Sequence, residues 1–364
     1  MKIGIVTFHR ALNYGAVLQA YALCHFLNDN GFDAEIIDYR NKALETIYHS
    51  SKINLNNMQQ YQGYSLKNKI RRFFEVIYFK KLCLKFDSFL EKNLSNTITD
   101  LSWDKVINQY DWIVTGSDQV FNFTLTDNDI IYYLQGVPFE KRASFAASVG
   151  AFNVVKNRKC IEELNLFSFL SVREEETAQL FEDITKKKCY CHMDPVFLLD
   201  KRDWKNVEKR PHVHKPYILI FSMNKSANLV EKALTYAKKN NSEVYFLSTA
   251  LKRKMRRGVH QIWNASPCEF LGWIHHADYI FTDSFHGTAF SILFEKCFFV
   301  DADPKLGSSN RIFNVLKYFG CVDNTDDKKI GNIPIVKIEN ELRNNLENAR
   351  NYFIKFKGEI ENEK

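Results

Sequence analysis

A chain of 364 residues is longer than one hydrophobic core usually grows, so two domains are expected. Its 45% apolar share, with 30 phenylalanines and 17 tyrosines, excludes a disordered protein. The formal charge of +7 suits an anionic ligand, an anionic membrane surface or nucleic acid, and does not choose among them.

Residues 3–8 form a largely apolar run, the pattern of a central parallel strand. The run starts close to Met1 with no leader-like stretch, and no apolar run is long enough to cross a bilayer, so a cytoplasmic protein is expected. The stripe Val17, Tyr21, Cys24 and Leu27 predicts a helix over 16–27, Asn30-Gly31 ends it, and residues 34–39 read as a second strand. The loop between them holds one glycine where a dinucleotide fingerprint needs three. Asn13 and Gly15 can shape a loop that meets a ligand, or simply start a helix.

Residues 41–62 are polar and rich in Asn and Gln. Residues 64–94 form a basic helical insertion in which Lys67 to Lys85 interleave with Phe73, Phe74, Phe79, Phe86 and Phe89. Such a helix can lie on the inner face of a membrane, but it reads more simply as burying its aromatics in its own fold. The strand at 112–114 runs into Thr115-Gly116-Ser117-Asp118-Gln119, where hydroxyl, carboxylate and amide groups suit a grip on sugar hydroxyls. The alternative is a turn that caps its own backbone. A strand rich in small residues is expected over 142–148 and another over 169–172. Arg173 then opens a helix with Glu174, Glu175 and Glu176. The acids fit the helix dipole, whereas Arg173 opposes it and makes sense facing an anion beyond the strand end.

The eight cysteines are scattered and read as reduced thiols. Cys189-Tyr190-Cys191-His192 lacks a second ligand pair at zinc spacing, so no metal is expected. Asp194-Pro195 opens a strand-end or turn segment. The polar stretch 200–215 marks the boundary between a first domain, 1–208, and a second, 209–330. Strands at 217–221, 243–247, 279–282 and 298–301, with helices at 227–240, 267–276 and 287–295, predict a second parallel sheet. The turn Asp283-Ser284-Phe285-His286-Gly287 sits between a strand and a helix, where open α/β sheets bind ligands and helix N–H groups attract anions. His286 there is a candidate for proton transfer or, alternatively, a capping or packing residue. The loop 303–311 brings Lys305, Ser308, Ser309, Asn310 and Arg311 ahead of a helix at 312–319, which suits a phosphate or carboxylate. A closing helix within 331–364 is expected to cross back onto the first domain.

Taken together, these segments resemble the polysaccharide pyruvyl transferase family. The resemblance rests on Thr7-Phe8-His9 with Asn13-Tyr14-Gly15-Ala16 and Gln19, on Gly116 to Asn122, and on Ser144 to Gly150. It continues through Ser171-Val172-Arg173-Glu174, Asp194-Pro195, Ser284-Phe285-His286-Gly287 and Ser308 to Ile312. It covers about residues 1–320. It implies an α/β fold of two Rossmann-like domains with parallel sheets facing across a GT-B-like cleft. It also implies transfer of pyruvate from phosphoenolpyruvate to a sugar of a bacterial surface-polysaccharide precursor, closing a cyclic ketal and releasing phosphate without a cofactor. One departure stands out: the family often carries an arginine two places before the motif histidine, where this chain has Ser284.

The borrowed chemistry assigns His286 to proton transfer and Asp118 to the acceptor. Asn13, Gly15, Ser117, Gln119, Arg173, Ser284, Lys305, Ser309, Asn310 and Arg311 are the expected substrate-binding residues. The partners are then phosphoenolpyruvate and a glycan or lipid-linked sugar, with the insertion helix a candidate for peripheral membrane contact. A GT-B glycosyltransferase using a nucleotide sugar is the nearest alternative, and a non-catalytic anion- or nucleic-acid-binding protein is the alternative from another class.

Overall fold

The computed structural model describes residues 1–45, 66–94, 96–97, 102–150, 154, 157–223, 227–249, 256–302, 307–327, 329–331 and 333–362. The first sheet begins with β1 (Lys2–Val6), α1 (Tyr14–Asp29) and β2 (Asp33–Ile37). It continues through α2 (Leu66–Asn93), β3 (Asn96–Thr97), β4 (Trp112–Thr115) and β5 (Arg142–Ser144). The strands are parallel in the order β3-β2-β1-β4-β5. A parallel pair, β6 (Leu170–Val172) and β7 (Cys189–Cys191), joined by α3 (Glu175–Thr185), extends the sheet past β5 through bridges at Ala143–Phe169 and Ala147–Val172.

The second sheet is built from β8 (Tyr217–Phe221), α4 (Ala227–Asn240), β9 (Glu243–Leu247), β10 (Val259–Ile262) and α5 (Pro267–His275). It is completed by β11 (Tyr279–Thr282), α6 (Phe285–Leu293) and β12 (Cys297–Val300), and followed by α7 (Gly307–Phe319). Its order is β10-β9-β8-β11-β12, again all parallel. Every residue of β8 and β4 is buried, because a central parallel strand has helices on both faces. In each sheet the chain order reverses beside the central strand, between β1 and β4 and between β8 and β11. Such switch points leave a crevice beyond the carboxyl ends of the strands.

Aromatic side chains join the halves. Tyr14 at the start of α1 stacks on Phe270 of α5 (4.5 Å, 7°) and donates to the Ala265 carbonyl (2.9 Å). In α2, Tyr78, Phe79, Leu82, Phe86 and Phe89 are buried, and Phe86 meets Tyr14. Fully burying each such side chain contributes roughly 1.5–3 kcal/mol. This face belongs to the core and not to a lipid surface, while Phe73 and Phe74 are exposed. Lys85 of the same helix reaches Glu269 of α5 at 2.7 Å. Burial pushes the Glu269 carboxyl up, but Lys85, the Ser266 N–H and Lys209 outweigh it and hold it at about 2. Among the described residues no helix is long and apolar enough to cross a membrane.

The helix Ile335–Asn362, here α8, lies on the first sheet: Phe356 stacks on Trp112 (4.3 Å) and the Tyr352 hydroxyl donates to the Ser144 carbonyl (2.7 Å). Near residue 208, Trp204 of the helix Lys201–Val207 meets Tyr21 of the first half and Phe290 of the second. Cys189 and Cys191 share one face of β7, with Cys189 buried and Cys191 exposed, and His192 Nδ1 lies 2.7 Å from Ser171 Oγ, so the run packs as a strand. Of the two readings of Asp194-Pro195, strand end or turn, the structure shows the turn: Asp194 caps a 3-10 turn, Pro195–Leu198.

Candidate active site

The site begins where β4 ends. Gly116 has φ +117°, and a Cβ there would lie 2.3 Å from the Phe145 carbonyl oxygen, so only glycine makes this turn. The turn buries Ser117. Its N–H donates to Gln19 Oε1 (3.1 Å) and its hydroxyl donates to the Ala146 carbonyl (2.6 Å). Gln19 donates to Thr7 Oγ1 (2.8 Å), which donates to the Ser117 carbonyl (3.0 Å). This ring of bonds locks the end of β1, the first turns of α1 and the end of β4 together.

Arg173 follows β6 directly. Its Nη2 donates to Ser117 Oγ (2.7 Å) and lies 3.0 Å from Asp194 Oδ2. The sequence pattern pointed Arg173 at an anion beyond the strand; within the protein that anion is the Asp194 carboxylate. The guanidinium also lies 5.3 Å from the centre of the Phe285 ring, at the first turn of α6. Asp194 is fully buried, and its Oδ1 accepts the Val196 N–H (3.0 Å). Burial pushes its carboxyl up, but Arg173, His286 and the Val196 N–H outweigh burial and hold it at about 2.

His286 lies in the first turn of α6, with Nε2 3.4 Å from Asp194 Oδ2. On its other side a Cβ at Gly15 would stand 1.9 Å from His286 Nδ1. The imidazole therefore packs against the first turn of α1, in the space a side chain would fill. Among the described residues, three buried atoms here have no polar partner, Arg173 Nε and Nη1 and Glu174 Oε2, while Asp194 Oδ2 and His286 Nε2 have the ion-pair contacts given above and no further hydrogen bond. Each such atom costs about 1–3 kcal/mol, and native interiors hold few of them. Their concentration at one place makes it the candidate site for a polar ligand.

Arg173, Glu174 and Asp194 line a cavity of about 470 Å³ together with Phe285 of α6, Arg311 of α7 and Asn345 of α8. Burial pushes the Arg311 guanidinium pKa down and the charge of Arg173 pushes it further; Glu174, Asp118 and Asp194 oppose the shift. Charges from four separate segments thus act on one cleft.

The expected site residues divide into groups. Arg173 and Arg311 line the cavity, Ser117 holds Arg173, and Gly15 lies against His286, whose Nε2 is 3.4 Å from the cavity-lining Asp194. Asn13 and Ser284 are N-caps: Asn13 Oδ1 accepts the Gly15 N–H (3.0 Å) and Ser284 Oγ accepts the Gly287 N–H (3.5 Å). Asp118 adopts φ +71° and accepts the Gln119 N–H (2.8 Å). The Gln119 side chain accepts from Asn122 (3.1 Å) and lies against Gly150, which holds its own loop together. Arg311 lies one turn inside α7, which begins at Gly307 and not at residue 312. Ser309 and Asn310 are in the first turn of α7 with side chains outside the described residues, and Lys305 falls outside them altogether.

Sequence reasoning missed Asp194 and Glu174 as site groups. The dipole explanation of Glu174 was incomplete: its side chain makes no cap bond, one oxygen accepts from Ser148 (2.7 Å), and the other borders the cleft.

A family model for polysaccharide pyruvyl transferases matches residues 13–300. The chain belongs to this family. It is a transferase of polysaccharide pyruvylation, and a sugar or glycan is its acceptor. A comparison with curated proteins found no match. Among solved structures, one from Listeria monocytogenes assigned as a UDP-N-acetylglucosamine 2-epimerase is 10% identical, with TM-score 0.51, covering 93% of this chain and 94% of its own. The Neisseria meningitidis UDP-GlcNAc 2-epimerase is 14% identical with TM-score 0.48, covering 98% and 100%. The glycosyltransferase SnogD from Streptomyces nogalater is 11% identical with TM-score 0.45, covering 98% and 99%. At these identities the likeness concerns the fold, which is the GT-B-like pair of parallel sheets.

In this pyruvyl transferase the position of the family's frequent arginine holds a helix cap, and Asp283 beside it accepts from Ser222 and Met223. Arg173 reaches this helix from across the cleft, lies over the Phe285 ring and shares Asp194 Oδ2 with His286.

Proposed function

We propose that this pyruvyl transferase uses phosphoenolpyruvate as donor, forms a cyclic ketal on two hydroxyls of a surface-polysaccharide precursor, and releases phosphate. The observation that carries the reading is the set of unpartnered buried atoms of Arg173 and Glu174 in a cavity that Asp194 and Arg311 also line, with His286 on Asp194. A donor bearing a phosphate and a carboxylate needs two or more cations in a confined place, and arginine grips both groups in pairs of hydrogen bonds.

In this scheme Arg173 and Arg311 hold the donor anions. His286 delivers a proton to the methylene carbon of the enol, leaving an oxocarbenium-like centre at C2. Asp194 positions the imidazole. One sugar hydroxyl attacks C2 and loses its proton, and the C2–O bond to phosphate breaks with its electron pair leaving on phosphate. The second hydroxyl then closes the ketal. In this scheme Asp118 and Glu174 orient the acceptor or take its protons. Proton transfers complete this scheme without a cofactor.

The test is phosphate release from phosphoenolpyruvate with a panel of lipid-linked and nitrophenyl glycosides, wild type beside His286→Ala. Acceptor-dependent release that disappears in the folded variant is expected. Nucleoside diphosphate release from a nucleotide sugar would replace this reading with glycosyl transfer. Salt-sensitive RNA or DNA binding without turnover of either donor would replace it with a binding protein.

A further inference from the structure

Two histidines at the carboxyl end of α5 close on one carboxylate from the segment that joins the sheets. His275 Nδ1 lies 2.7 Å from Glu208 Oε2, and His276 Nε2 lies 2.9 Å from Glu208 Oε1. One ligand atom from each residue falls within 4.8 Å of the others. We infer that Glu208, His275 and His276 form a binding site for a divalent transition-metal cation of the zinc type.

Two imidazole nitrogens and a carboxylate oxygen are a donor set that suits zinc and its neighbours, and not calcium or magnesium. Metal–ligand bonds of about 2.0–2.2 Å in tetrahedral array place neighbouring donors about 3.3 Å apart. The two N···O contacts must therefore open by about half an ångström as the ion replaces two hydrogen bonds. Each ring binds in its neutral form, with its remaining proton on the other nitrogen.

The frame around the ligands is fixed. Lys209 donates from its backbone to the Cys268 carbonyl (2.9 Å), and a Cβ at Gly272 would stand 2.0 Å from the Lys209 carbonyl oxygen. The joining segment therefore lies tight against α5 and holds Glu208 over the helix end. His275 stacks on Phe294 (4.7 Å, 26°), which sets the plane of its ring. The side chains of His275, His276 and Glu208 are 16%, 24% and 12% exposed, so an ion can enter and a water can complete its shell. Lys205 acts on His275 as a like charge, which favours modest over tight binding. The bound ion clamps the segment joining the sheets to the second domain. Sequence spacing alone does not show the site, because Glu208 arrives from a distant part of the chain.

The test uses the full chain, stripped with a chelator and titrated with Zn(II), and separately with Co(II) for its spectrum. One ion per chain is expected, with cobalt bands of a nitrogen–oxygen site and no thiolate charge-transfer band. His276→Ala should weaken zinc binding at least about tenfold, since even outer partners of a metal site are worth that much. Glu208→Gln keeps a carbonyl to accept a histidine N–H, guards against a folding failure, and should lose binding as well. Zinc should raise the melting temperature of wild type and not of Glu208→Gln. Absence of stoichiometric binding overturns the inference. So does a thiolate band unchanged in Glu208→Gln, which would put the ion on cysteine.

Discussion

Among the described residues, two clusters share the same residue types, one around His9 and one around His286, and the second has buried polar atoms left without partners. At the end of β1, His9 lies against Asp38 through Nε2 (2.9 Å) and against the Thr7 carbonyl through Nδ1 (3.1 Å). Arg10 closes on both oxygens of Asp38. Burial pushes the Asp38 carboxyl up, but the bonds from His9 and Arg10 outweigh it and hold it well below the usual carboxylate range. Around His286, Asp194 and Arg173 the same chemistry leaves buried atoms unbonded beside a cavity. A histidine, an aspartate and an arginine are thus not a site by composition. The site is where the fold leaves them partly unsatisfied, because a ligand can then supply the missing bonds.

The largest effect should separate the two histidines. His286→Ala should lower turnover by about a hundredfold to ten-thousandfold, the range of a lost proton-transfer residue, with circular dichroism unchanged. His9→Ala should leave turnover within about tenfold and instead lower stability by about 1–3 kcal/mol, measured by urea denaturation. Equal loss of turnover in both would break the comparison.

Gly15→Ala comes next. The added methyl group must displace the His286 ring, and a shift of about 1 Å in a reacting group costs on the order of a hundredfold. The imidazole is the end of a side chain that can move, so turnover should fall more than stability does. Glu174→Gln should have a smaller effect, about tenfold on turnover, with a pH profile changed on one limb. An unchanged profile would remove Glu174 from proton transfer.

The smallest effect is on acid stability. The Asp194 carboxyl is depressed from 3.8 to about 2, so its contribution is fully present above about pH 4 and is lost as pH falls toward 2. The linkage amounts to about 2 kcal/mol. Asp194→Asn should therefore be less stable than wild type at pH 7, with the difference shrinking below pH 4. A constant difference across that range would contradict the assignment.

Much of the fold was legible because buried parallel strands such as Tyr217–Phe221 are continuous apolar runs. Short edge strands such as Asn96–Thr97 and Val259–Ile262 were not, since their few residues and polar side chains give no periodic signal. The place of His286 between a strand and a helix was legible. Its neighbours were not: Gly15 and Asp194 meet it only through the packing of the two domains, which spacing along the chain does not encode. The departure at Ser284 looked like a missing cation, and the fold brings Arg173 to that helix from the opposite sheet.

The most direct measurement of the central claim is the affinity for phosphoenolpyruvate, by calorimetry, in wild type, Arg173→Met and Arg10→Met. The account predicts binding to wild type and Arg10→Met alike, and at least tenfold weaker binding to Arg173→Met. Equal affinity in Arg173→Met and wild type, or loss confined to Arg10→Met, would place the donor away from the His286 cleft and contradict it.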